Sequence, residues 1–103
     1  MNTQKSDNIY NEAVTVMPGC VNSPVRAYRN VGRNPLFIEK GKGSKIYDID
    51  GNEYIDYICS WGPNILGHCY PKVIEEVKKA CDNGLTFGPP TEKEVVLQEL
   101  IRE

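Results

Sequence analysis

Residues 45–58 read "KIYDIDGNEYIDYI". Two runs rich in Ile and Tyr flank "DGN", and Asp-Gly between alternating segments is the strongest short hairpin signal, because its turn type needs positive φ at both central positions. Upstream, "LFIEK" (residues 36–40) is a third run of the same character, set apart by "GKGS". Residues 36–58 are therefore expected to form a three-stranded antiparallel meander. The "GKG" lacks both the spacing of a phosphate-binding P-loop and a following helix, so it is read as a turn.

The meander is flanked by helices and by stiff loops. Before it, with Ser6 or Asp7 as the expected N-cap, Ile9, Tyr10, Ala13, Val14 and Met17 recur at helical spacing up to Pro18. After it, Pro71 opens a helix with Val73, Ile74, Val77, Ala80 and Cys81 on one face and Gly84 as its stop. Thr91 with Glu94 makes a capping box that starts a last helix through Val95, Leu97, Leu100 and Ile101. No Gly, Asn or Pro ends that apolar pattern before Glu103, so an incomplete domain is expected. As an isolated piece the class is α+β: one helix, three strands, two helices.

Composition narrows the functional classes. The chain has 103 residues, a size for one small domain, and 12 basic against 14 acidic side chains give a net charge of −2. The basic residues are scattered, which argues against a nucleic-acid surface. No run approaches the roughly twenty apolar residues of a membrane span, and the start lacks a secretory core. A soluble, cytoplasmic chain is expected, with no nucleic-acid or membrane partner. Cys20, Cys59, Cys69 and Cys81 form no C-x-x-C pair and His68 is the only histidine, so no metal site is assigned and the thiols are expected to be reduced and mostly buried.

The loops hold the informative residues. In "PGCVNSPVR" (18–26), Pro18 ends the incoming helix and Pro24 keeps Ser23 extended, leaving Arg26 on a rigid connection. "CSWGPNILGHCYP" (59–71) carries the only Trp and the only His, and "LTFGPPTEKE" (85–94) is a third such loop. Read as residues alone, Arg26 is a solvated loop arginine, Ser23 a turn residue, Trp61 a packing residue, and His68 a capping or packing residue.

"PGCVNSPVRAY", "GKGSKIYDIDGNEYIDYICSWGPNILGHCYP" and "TFGPPTEKEVVL", in this order, resemble the N-terminal region of the glutamate-1-semialdehyde 2,1-aminomutase family. The central string alone resembles the wider class III ω-aminotransferases, and "VNSPVR" and "SWGP" narrow it. The resemblance implies an α/β, fold type I pyridoxal-phosphate transferase, a homodimer that isomerises glutamate 1-semialdehyde to 5-aminolevulinate for tetrapyrrole synthesis. It further implies that 1–67 holds the N-terminal helix, substrate loop and meander of a small domain, and that 68–103 holds the first helices of a large cofactor domain. Arg26 matches the family's carboxylate-binding arginine, Ser23 an assisting serine, and Trp61 a tryptophan lining the substrate pocket.

In the family the Schiff-base lysine and the other cofactor ligands lie beyond the matched region. Lys5, Lys40, Lys42, Lys45, Lys72, Lys78, Lys79 and Lys93 fall outside that motif. No catalytic or cofactor-binding residue is assigned within the chain, and the chain alone is expected to be inactive. Where the family usually has "PGG", Cys20 replaces a glycine, which puts a positive φ there in question. "HCYP" and "FGPP" also depart from the usual "HAHP" and "FGAP". Another class III ω-aminotransferase and a noncatalytic binding module remain alternatives.

Overall fold

The computed structural model describes residues 1–102. Glu103, the last residue of the second expected segment, lies outside them. The chain divides into two compact units, Met1–Tyr70 and the segment from Pro71 onward.

In the first unit, helix α1 spans Gln4–Val16 and a three-stranded antiparallel sheet follows in the order β1 (Ile38–Lys42), β2 (Lys45–Asp48), β3 (Glu53–Ile55). This is the expected meander, with shifted bounds. Strand β1 runs through Gly41 and Lys42, leaving only Gly43 and Ser44 as the turn, with Lys42 opposite Lys45. Gly43 has φ 56° while Ser44 is not among the positive-φ residues, the pattern of a type II′ hairpin turn. A bulge between Ile38 and Lys40 bends β1.

The β2–β3 connection corrects the Asp-Gly reading. Only Gly51, at φ 87°, is left-handed there. Gly51 N–H donates to the Asp48 carbonyl at 3.0 Å and Asp48 N–H to the Asn52 carbonyl at 3.1 Å. This is the three-residue loop with a glycine bulge, which needs positive φ once rather than twice.

The reason lies in Asp48, whose side chain is fully buried. Its Oδ1 accepts the backbone N–H groups of Asp50 (3.1 Å) and Asn52 (2.8 Å), and its Oδ2 accepts Asn52 Nδ2 (2.8 Å) and the Tyr54 hydroxyl (2.7 Å). Burial pushes the carboxyl up, but these four donors outweigh it and hold Asp48 below the ordinary carboxylate value. Tyr54 is pushed up to about 12 by burial and by its bond to Asp48.

The same turn caps α1. The N-cap lies three residues before the expected Ser6, at Thr3, with no capping bond from its side chain. Instead Asp50 reaches across from the hairpin: Oδ1 accepts Lys5 N–H at 2.8 Å and Oδ2 accepts Ser6 N–H at 2.9 Å. A carboxylate on the first free amides of a helix meets both their hydrogen-bonding demand and the helix dipole. The inward face of α1 is Ser6 and Ala13, flanked by half-buried Tyr10 and Met17, while Ile9 and Val14 of the expected apolar face are exposed.

In the second unit, α2 (Pro71–Cys81) and α3 (Glu92–Arg102) occupy the expected positions. The capping box differs in detail, because Thr91 Oγ1 donates to Glu94 Oε1 at 3.3 Å rather than capping a backbone N–H. Val95, Leu97, Leu100 and Ile101 of α3 are exposed. Among the described residues no helix is long and apolar enough to cross a membrane.

Candidate functional site

Two loops of the first unit carry the candidate residues. The first leaves α1 at Met17, whose extended backbone (φ −132°, ψ 127°) is what a following proline requires. A tight turn spans Pro18–Cys20, with Gly19 at φ 72°, and a 3₁₀ turn spans Pro24–Ala27, with Ser23 extended before Pro24 as expected. Arg26 therefore sits on a proline-initiated 3₁₀ turn, its N–H donating to the Ser23 carbonyl at 3.0 Å.

Arg26 is exposed, and Nη1 donates to Asn22 Oδ1 at 2.9 Å. One edge of the guanidinium is thus steadied by a neutral acceptor, while among the described residues no carboxylate pairs with it. Nε and Nη2 are left as a planar pair of donors, the arrangement that grips a carboxylate bidentately. Ser23 is half-buried and its hydroxyl makes no capping bond. Both groups are available to a small acidic ligand.

Cys20 answers the question its position raised: it keeps φ 60° without being glycine and is 1% exposed. Tyr28, at φ 55°, closes the Arg26 turn in the same left-handed region. The expectation of mostly buried thiols holds only for Cys20, since Cys59, Cys69 and Cys81 are exposed. Their sites are turns and an exposed helix end, where the local fold offers no cover.

The second loop starts where β3 stops. Asp56 N–H still joins the sheet, donating to the Ser44 carbonyl at 2.8 Å, but its Oδ1 accepts the N–H groups of Ile58 (2.9 Å) and Cys59 (3.1 Å) and turns the chain away. Cys59, Ser60, Trp61 and Gly62 then follow with φ of 51°, 53°, 65° and 115°. A left-handed run costs roughly 1–2 kcal/mol per non-glycine residue, so three residues need about 3–6 kcal/mol of compensation. Two hydrogen bonds to a carboxylate, at about 1.5–3 kcal/mol each, are of that size. Trp61 is 68% exposed on this turn, so the packing reading of the indole fails within this chain.

His68 fixes the far end of the loop. Its backbone exchanges two hydrogen bonds with Gly43, at 2.9 and 2.8 Å, and its ring lies on Gly41, where a Cβ would come within 2.5 Å of the imidazole. Nε2 meets Asp56 Oδ2 at 2.7 Å, and Nδ1 meets Asn64 Nδ2 at 3.0 Å. With the amide as donor to Nδ1, the ring proton is on Nε2 and points at Asp56. The bond from His68, then those from Ile58 and Cys59, hold Asp56 below the ordinary carboxylate range against the effect of burial.

Ser23 and Arg26 share one turn, whereas Trp61 stands on the other loop, and no hydrogen bond joins the two loops' turns among the described residues. Asp56, Asn64 and Asn22 were not singled out from sequence. The available signal was positional: Asp56 precedes the loop at the spacing of an Asx turn, and Asn22 lies four residues before Arg26. Of the lysines, Lys45 pairs with Glu53, Lys79 pairs with Glu75 and Glu76, and Lys40 lies over the Tyr47 ring. Lys5, Lys42, Lys72, Lys78 and Lys93 are exposed.

The model of the family described as aminotransferase class-III matches residues 27–101. The chain is 59% identical over 103 residues to a glutamate-1-semialdehyde 2,1-aminomutase of Thermodesulfovibrio yellowstonii, covering 100% of this chain and 24% of that protein. It is 62% identical over 99 residues to a protein of the same name from Fusobacterium nucleatum, covering 95% and 23%. A solved structure described as a transaminase with PLP bound superposes with a TM-score of 0.82 at 37% identity, over 96% of this chain and 23% of the other. The chain thus spans about a quarter of the length of the curated relatives it matches. Its helix, meander and loops are an N-terminal piece of that fold, and the chain belongs to the class-III aminotransferase family.

Proposed function

We propose that the whole protein is a pyridoxal-phosphate aminomutase converting glutamate 1-semialdehyde to 5-aminolevulinate, a step toward tetrapyrroles, and that this chain supplies part of its substrate wall. In this reading Arg26 grips the substrate carboxylate, Ser23 assists it, and the Trp61 indole lines the pocket. The observation that carries it is the Arg26 turn: a guanidinium with one edge on Asn22 and a donor pair left over, in a chain 59% identical to a protein named for that reaction. The cofactor supplies an amine and an electron sink. The chain's lysines do not fit the role of holding it, being surface-paired or exposed, so those groups are assigned to the region of the relatives this chain does not span.

The remaining organisation follows the same reading: residues 1–67 in a small domain, 68–103 entering a large one, a homodimer, in the cytoplasm. The chain alone is inactive in it. The test is Arg26→Lys in the full-length protein, which replaces a planar fork by a point charge. KM for the semialdehyde should rise and kcat/KM should fall about 10- to 100-fold, the loss of one charge-assisted bond. Unchanged kinetics would remove the carboxylate role.

A second reading, an ω-aminotransferase of another substrate, is favoured by the likeness to an omega-transaminase of Sphaerobacter thermophilus at 32% identity and TM-score 0.79. Transfer of an amine to an external keto acid, with no isomerisation of the semialdehyde, would select it. A stand-alone binding module would instead require a reading frame that ends at codon 103.

A further inference from the structure

We infer that Asp56 and His68 form a clamp that positions the Trp61 turn, so that both are positioning residues for the substrate pocket rather than surface structure. The inference rests on the pocket role of Trp61 proposed above.

Three features of the loop carry it. First, a single carboxylate reads both ends of the segment: Asp56 Oδ1 takes the amides that open the left-handed turn, and Oδ2 takes the His68 ring that closes the loop. Its side chain is only 8% exposed, so this is a sheltered link. Second, the ring itself cannot drift. Its backbone is paired to Gly43 on both sides, and its face is seated where Gly41 lacks a Cβ. Third, Asn64 returns the connection to the turn, donating toward both His68 Nδ1 (3.0 Å) and Ser60 Oγ (3.3 Å), while its own N–H bonds the Cys59 carbonyl at 3.2 Å.

The turn is thereby tied to the sheet from before, behind and within. Without those ties, Cys59, Ser60 and Trp61 have no reason to remain at positive φ, a conformation none of them favours. Release would swing the indole, since the side chain's direction is set by the backbone that carries it. The clamp contacts no substrate in this scheme and acts only through Trp61.

The experiment is a set of variants in the full-length holoenzyme with glutamate 1-semialdehyde. Asp56→Asn and His68→Leu should each raise KM about 5- to 30-fold, the loss falling more on KM than on kcat. His68→Gln, which keeps a donor for Asp56, should recover most of that loss. A role in packing alone predicts that Leu and Gln fail alike. In a Trp61→Ala background, Asp56→Asn should change KM less than twofold, because the group it positions is gone. Should Asp56→Asn not fold, Asn64→Ala cuts the tie between ring and turn and takes its place in the cycle. If Trp61→Ala raises KM but the clamp variants do not, or if their effects add, the clamp is overturned and the pocket reading stands. If Trp61→Ala leaves KM unchanged, the pocket role and the clamp fall together.

Discussion

Replacing Asp48 by alanine should loosen the hairpin and the start of α1 together. The substitution strands four donors that the buried carboxylate now satisfies: two backbone amides, Asn52 Nδ2 and the Tyr54 hydroxyl. Each buried donor left unmet costs about 1–3 kcal/mol, but water entering the vacated space and relief of the buried charge offset part of the sum. A net loss of about 3 kcal/mol is expected, at the high end for a point change. Native-state hydrogen exchange of the full-length protein reads it locally. Ladder amides of Lys45–Ile55 should exchange roughly 100- to 200-fold faster, and so should the Lys5 and Ser6 amides, because Asp50 is aimed at them by the turn Asp48 organises. Asp48→Asn keeps the Oδ1 acceptor and should cost about half as much. Ladder amides that keep their protection in Asp48→Ala would refute the idea that this carboxylate holds the hairpin. The pH dependence has a definite sign. Asp48 is lowered in the fold, so its stabilisation is present above the ordinary 3.8 and lost as pH falls through the folded value. Tyr54 is raised to about 12, so its contribution is present below 10 and lost as pH climbs toward 12.

Other perturbations test separate links. Asp50→Ala removes the two-amide cap of α1 and should cost about 1–2 kcal/mol, seen as faster exchange confined to the first turn of that helix. At Cys20, glycine should be more stable than alanine by about 1 kcal/mol in the thermal midpoint, because φ 60° penalises any Cβ; the opposite order would mean the loop relaxes. The isolated 103-residue chain should associate in solution, since Val95, Leu97, Leu100 and Ile101 are exposed along α3; a monomer with a sharp two-state melt by sedimentation and calorimetry would contradict this.

Elements were legible from sequence wherever the constraint is local. Pro18, Pro24 and Pro71 act on their own backbone and on one neighbour, and they ended or began elements where expected. The meander was visible for the same reason, in runs of Ile and Tyr between glycines. What escaped depends on side chains meeting across the fold. The sequence pattern places the N-cap of α1 at Ser6 or Asp7, but Asp50, more than forty residues on in the hairpin, does the capping. The Asp-Gly turn departed from its usual form because the buried Asp48 draws the next amides onto itself. Arg26 could be nominated from a motif, yet the Asn22 bond that steadies it is a matter of conformation rather than composition.

The distribution of left-handed residues ties these observations to function. Among the described residues, Cys20, Tyr28, Cys59, Ser60, Trp61 and Cys69 are the non-glycine residues at positive φ, and all lie in the two loops rather than in the sheet or the long helices. Nothing in the letters C, S, W or Y favours that conformation, so sequence reading had no means to place it. Such strain persists only where the surroundings over-determine it, at a cost of order 1–3 kcal/mol per residue. In the second loop the surroundings are identifiable as Asp56, His68 and Asn64. In the first they are two prolines and the burial of Cys20. Loops that only connected α1, the sheet and α2 would have no use for this expense, since relaxed turns of ordinary φ span such gaps. In the proposed reading, its concentration beside Arg26 and at Trp61 suits a wall that meets a small charged molecule, because a carboxylate grip tolerates little angular error in the guanidinium plane.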